Sequence, residues 1–222
     1  MEPSRKKFLK IFLTGSAVLI GGGAAALAWI DNKFNPNTEL AYAYPDMPEG
    51  LSTLSPTPAC DDGDHDETAT NSEGPFYTPE TPMRSNLRES GITGTPLVIA
   101  GQVLTTSCIP VAGAVLDFWS CDGNGDYDNE GFKLRGHQYT DSDGRFRLET
   151  VKPAGYGQFL LTRTPHIHVK VQGKNTNLLT TQLYFPGEER NKNDMLFEES
   201  LTIAIDDSDP ATLNGRFDFV LA

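Results

Sequence analysis

The chain has 222 residues, enough for one domain of ordinary size with a buried core. Acidic residues outnumber basic ones, 30 against 18, for a formal net charge of -12. Such a body repels phosphate backbones, which argues against nucleic acid as a partner.

Residues 1–30 read as an export signal or a membrane anchor. Arg5, Lys6 and Lys7 precede an apolar run over residues 11–30 that ends in small residues, with Ala26-Leu27-Ala28 as a cleavage site. The words SRKKFLK are similar to the twin-arginine pattern, with lysine in place of the second arginine. About 20 apolar residues also suffice to span a bilayer, so a retained anchor is the alternative. Either reading places the rest of the chain outside the cytoplasmic membrane, in the periplasm or beyond. Residues 31–72, rich in Pro, Asp, Thr and Ser, read as a linker and wrapping arm, and residues 73–222 as the folded domain.

Cys60, Cys108 and Cys121 suit an oxidising compartment with at most one internal disulfide. Cys108 and Cys121 flank an expected strand at 111–119, and about 3.3 Å per residue holds them too far apart to bond. Cys60 is then the partner of one of them, with three unpaired thiols as the alternative.

Short strand-like runs follow at 97–104, 114–119, 146–150, 166–171, 178–185, 201–205 and 216–221, separated by turn signals such as Asp143-Gly144 and Pro186-Gly187. After the first segment nothing of useful length has helical periodicity, so the expected fold is all-β, a β-sandwich with long loops.

Within this frame HIHVKV is the most informative run. Strand alternation points His166 and His168 to one face, roughly 7 Å apart, within reach of a single metal ion. Upstream, Gly123 and Gly125 carry the chain to Tyr127, and a Pro-Ala-Gly turn delivers Tyr156. Alone, either tyrosine reads as a packed rim residue. With two imidazoles the set changes meaning, because phenolate is a hard anionic donor suited to a highly charged ion, and two of each point to ferric iron rather than zinc or calcium. The run DGNGDYDNEG superficially matches a calcium loop but has Tyr127 where the sharp turn needs glycine and Lys133 where the last ligand should be glutamate. His65 lies in an acidic arm where no metal is expected, and His137, between Gly136 and Gln138, reads as no more than an exposed strand residue.

These residues carry a resemblance. GPFY at 74–77, the CxPVAGAxxDFW stretch at 108–119, the frame ending at Tyr127, LRGHQYTDSDGRFRLETVKPAGY, RTPHIH and QLYFPG resemble the intradiol ring-cleavage dioxygenases of the catechol and protocatechuate type, in order over residues 73–190. The chain resembles their short, exported members, which lack the helical dimerisation domain of the catechol enzymes. The resemblance implies Fe(III) held by Tyr127, Tyr156, His166 and His168, with Tyr127 retained through the cycle and Tyr156 displaced by substrate. It places Arg163 beside the substrate ring, Gln182 in the active site, and Pro75, Phe76 and Tyr77 at the pocket mouth. It implies a small aromatic diol and O2 as substrates, a muconate-type diacid as product and no organic cofactor.

A rival reading comes from another class. GQVLTTSCIPVAGAVLDF followed by TDSDGRFRLETVKPAGY is also similar to non-catalytic regulatory and carbohydrate-binding-like β-sandwich modules. Such modules need neither the His-x-His strand nor the paired tyrosines.

Overall fold

The computed structural model describes residues 66–157, 162–209 and 211–222. The expected signal or anchor at 1–30, the arm up to residue 65 and Cys60 lie outside them. No helix among the described residues is long and apolar enough to cross a membrane.

Among the described residues nine strands form two sheets. In chain order they are β1 (Pro96–Thr105), β2 (Val115–Trp119), β3 (Arg135–Tyr139), β4 (Arg145–Val151), β5 (His166–Gln172), β6 (Leu179–Tyr184), β7 (Ala204–Asp206), β8 (Leu213–Arg216) and β9 (Phe219–Leu221). One sheet runs β4-β1-β8-β7 with β9 also paired to β1, and the other runs β3-β2-β5-β6. The only regular helical turns among the described residues are the 3-10 turns Glu189–Asn193 and Glu199–Leu201. The expected all-β sandwich is therefore the observed architecture.

Alternation builds the core. Leu97, Ile99 and Val103 of β1, with Phe146 and Leu148 of β4, meet Leu116 and Phe118 of β2, Ile167, Val169 and Val171 of β5 and Leu183 of β6 in one buried cluster. Phe118 and Phe146 bridge the sheets at 6.0 Å between ring centroids. Each fully buried side chain of this size stabilises the fold by about 1.5–3 kcal/mol.

The same alternation leaves the other face of β3-β2-β5-β6 to polar residues. Register aligns Arg135, Trp119, His168 and Gln182 in one row across four strands, and His137, Asp117, Lys170 and Thr180 in the next. Residues 71–84 cross this face from β6 to β3. Asn71 N–H donates to Thr180 O at 2.8 Å, the Lys170 ammonium pairs with Glu73 at 2.6 Å, and Asp117 accepts from Tyr77 Oη at 3.0 Å and Thr81 Oγ1 at 2.7 Å. At the far edge His137 and Arg84 N–H groups bond Pro82 O and His137 O. A polar row that would be costly if left bare is thus satisfied by the segment laid over it.

Four expectations need correction. β3 is absent from the expected strands because Arg-Gly-His-Gln-Tyr has no apolar alternation; its outward side chains meet the crossing segment instead of a hydrophobic layer. The run 201–205 divides into a 3-10 turn and the short β7. The run 216–221 divides into the end of β8 and β9, because Asp218 Oδ1 takes the Gln102 N–H at 2.8 Å where a ladder bond would stand. The strand expected at 111–119 begins only at Val115. Cys108 is disulfide-bonded and Cys121 is a buried free thiol, so these two do not pair with each other, as expected.

Candidate metal centre and active site

β5 delivers both imidazoles to the polar face, where their rings stand 4.8 Å apart at 79°. His166 Nδ1 lies 2.6 Å from Thr164 O, which fixes its proton on that nitrogen and leaves the lone pair on Nε2. His168 is held by the Trp119 indole, stacked on it at 4.8 Å and 5°.

Two turns bring up the phenols. Gly125, at φ 90°, passes so close to Tyr156 that a side chain there would meet its Cβ at 3.3 Å. Tyr127 and Tyr156 then meet edge to face at 5.8 Å, and Tyr156 lies 5.6 Å from the His166 ring. The backbone of Tyr156 is bridged to Arg163 by hydrogen bonds of 2.8 and 3.1 Å. All four expected donors are therefore gathered in one place.

Their electrostatics fit a metal. Burial, reinforced by the Arg163 charge, pushes His166 down to about 4, and burial pushes His168 well below the ordinary imidazole range, so both rings are neutral, the ligand form. Burial raises Tyr127 and Tyr156, so both phenols keep their protons until a cation supplies the compensating charge. Tyr127 Oη, His166 Nε2 and His168 Nδ1 are buried with no hydrogen-bond partner among the described residues. Three such atoms in one cluster are costly unless something binds them. Among the described residues no group of three or more His, Cys, Asp or Glu could hold a metal; the donors that stand with the two imidazoles are the phenols.

Arg163 and Gln182 stand together at this centre. Arg163 Nε donates to Asp194 Oδ2 at 2.9 Å, and its Nη2 donates to Gln182 Oε1. Burial alone would favour discharging Arg163, but the Asp194 carboxylate more than offsets it. Gln182 is fixed in turn by donating to Ser72 O at 2.7 Å and accepting from Tyr184 Oη at 3.1 Å.

The three expected mouth residues separate. Phe76 stacks on Tyr127 at 4.3 Å and lies 6.4 Å from Tyr156. Pro75 is exposed beside it. Tyr77 turns away to Asp117, with its ring 4.8 Å from Trp119 and the Lys170 ammonium 4.7 Å above it. Gly74, at φ 67°, lets this segment lie against His168, whose Cε1 would be 3.2 Å from a Cβ at that position.

Asp194, Trp119 and Arg135 also shape the site and were not expected to. Trp119 takes its role from the register row that it shares with His168, a pairing between distant strands. Asp194 sits in the polar run ERNKND, which offers no local signal.

Comparison with known proteins agrees with the geometry. A family model described as dioxygenase matches residues 72–222. Among curated relatives, a hydroxyquinol 1,2-dioxygenase of a Rhizobium species is 32% identical over 67% of this chain and 63% of its own length. The catechol 1,2-dioxygenase of Candida albicans is 28% identical over 67% of this chain and 57% of its own. The chain thus spans less than two thirds of either relative. Among solved structures, the dioxygenase domain of a dioxygenase–carbohydrate-binding fusion protein from a cellulolytic Streptomyces is 46% identical, with a TM-score of 0.64, over 70% of this chain and 98% of that one. The 3-chlorocatechol 1,2-dioxygenase of Rhodococcus opacus, at 24% identity and a TM-score of 0.64 over 70% of this chain and 72% of its own, shares the fold. With the motif order, the sandwich and this match all in hand, the chain belongs to the intradiol ring-cleavage dioxygenase family.

Proposed function

We propose that this protein is a ferric dioxygenase that opens the ring of a catechol-type diol between its two hydroxylated carbons, placing both atoms of O2 in a muconate-type diacid. The observation that carries the reading is the convergence of two phenols and two neutral imidazoles, with three of their donor atoms buried and unpartnered among the described residues. A carbohydrate-binding-like module has no use for such a set.

Tyr127, Tyr156, His166 and His168 would hold a ferric ion, whose charge lowers the proton affinity of phenol and diol oxygens and opens the ring to O2. Tyr156 Oη is the group suited to leave and take up a proton from the incoming diol. Arg163 sets a fixed positive charge beside the ring, where negative charge develops on carbon. Gln182 and Asp194 keep its guanidinium aimed, and Phe76 covers the Tyr127 ring and keeps water from it.

Purified after expression with ample iron, the protein should carry about one iron per chain and consume oxygen with at least one of catechol, protocatechuate and hydroxyquinol. Metal analysis and an oxygen electrode check this. A protein that takes up no iron and no oxygen with any of them would overturn the reading.

Export is proposed on separate grounds, the basic and apolar pattern of residues 1–30 and the disulfide at Cys108. Replacing Arg5 and Lys6 together should leave iron-loaded protein in the cytoplasm, as cell fractionation would show. Unchanged export would count against the twin-arginine route.

A further inference from the structure

Arg135 is a buried cation that the chemistry above does not use. It is 0% exposed at the start of β3, beside Trp119 in the register row of His168. No carboxylate forms an ion pair with it among the described residues. Its fork is spent entirely on main-chain carbonyls: Nε and Nη2 donate to Asp128 O at 3.1 and 2.8 Å, and Nη1 donates to Phe76 O at 2.6 Å. A desolvated guanidinium that Asp128 and Asp117 favour only through their field, with no direct ion pair, is an expensive way to fill space, and an apolar side chain of similar volume would fill it more cheaply. What only a guanidinium supplies is a rigid set of donors that reaches two separate segments at once.

Those two segments enclose one ring. Asp128 directly follows Tyr127, and Phe76 stacks on the Tyr127 ring at 4.3 Å and 20°. The guanidinium itself stands 6.0 Å from the centroid of that ring. The chain enters β3 through Leu134 at φ 53°, a left-handed conformation that leucine rarely adopts and that the surroundings must enforce. The adjacent Leu134 O accepts the Ser120 N–H at 3.3 Å, tying this entry to the end of β2.

We propose that Arg135 is the positioning residue for Tyr127, a staple that joins the pocket-mouth segment to the tyrosine loop and sets the orientation of that phenol. This rests on the reading of Tyr127 as a metal ligand that stays bound throughout. An outer contact of this kind sets ligand direction and typically changes metal affinity or activity by about 10- to 100-fold. Arginine is required for its fork and not for its charge alone.

The test uses Arg135→Lys and Arg135→Met in the full, iron-loaded chain, comparing iron per chain, the visible phenolate-to-iron band and kcat. Both variants should lose about 10- to 100-fold in kcat. Both should shift the band in the resting protein and in its catechol complex alike, because Tyr127 is present in both. Arg135→Lys should fail to rescue, since an ammonium at a single point cannot reproduce the planar fork whose separate nitrogens reach the two segments. Wild-type spectra in both variants, or full rescue by lysine, would overturn the staple. Should neither variant fold, Phe76→Leu removes the stacked half of the enclosure and should shift the same band in both states; no shift would overturn the proposal. Should the wild-type protein prove to carry no iron, amide hydrogen exchange over residues 127–133 still decides: faster exchange in Arg135→Lys supports the staple and unchanged exchange overturns it.

Discussion

Arg163→Leu should lower kcat by about two to three orders of magnitude while iron per chain stays near the wild-type value. Leucine keeps much of the volume but removes the positive charge that the proposed function sets beside the substrate ring. That charge is unusually well fixed: Nε is bound to Asp194 at 2.9 Å, a second nitrogen to Gln182, and the backbone of Arg163 is bridged to Tyr156. Because Arg163 supplies none of the four donor atoms, its loss should spare the metal. Asp194→Asn should give a smaller fall in kcat, since the amide retains the acceptor for Arg163 Nε and for the Thr164 N–H, 2.9 Å from the same oxygen, but loses the charge. Metal analysis beside steady-state kinetics separates the cases. Iron lost in proportion to activity would make Arg163 a structural residue instead.

That both imidazoles share one face could be read from the chain because their run is a local pattern with one geometric meaning, whereas the tyrosines gained a meaning only beside them and Arg163 only through the family resemblance. HIHVKV places His166, His168 and Lys170 on one face and Ile167, Val169 and Val171 on the other, and β5 obeys that pattern throughout. Tyr127 and Tyr156 follow glycine-bearing turns. The residues that hold this set in place could not be read in the same way, because their partners are distant in sequence. Arg135 in LRGH looks like an ordinary exposed arginine until the register puts it beside Trp119 and residues 71–84 close over it. β3 stayed invisible for the same reason, since its outward residues are covered by a polar segment and carry no hydrophobic period. Tyr77 shows the converse. Its place beside Phe76 suggested the pocket mouth, yet Asp117, buried and forty residues away, takes its hydroxyl and anchors the segment from below.

The two tyrosines should differ in what their loss does to the colour of the iron protein. Phenolate bound to Fe(III) gives a visible charge-transfer band, so the loaded protein should be coloured without haem or flavin, and removing iron with a chelator should bleach it. Tyr127 has a buried hydroxyl with no partner among the described residues, and its ring is packed under Phe76. A cation would satisfy that oxygen, and the stacked Phe76 ring restrains the phenol. Tyr127→Phe should therefore disturb the spectrum of both the resting protein and the catechol complex. Tyr156 lies 5.6 Å from the His166 ring and, on the proposed function, is the phenol that gives way to a diol. Tyr156→Phe should change the resting spectrum strongly and the catechol complex little. His166→Ala and His168→Ala should each weaken iron binding by more than the roughly 10- to 100-fold expected of an outer contact, because each removes a neutral donor that β5 had already aimed. Spectra of the four variants with and without catechol provide the check. If Tyr127→Phe and Tyr156→Phe gave the same pair of spectra, the division of roles between a retained and a displaced phenol would be wrong even with iron at this centre.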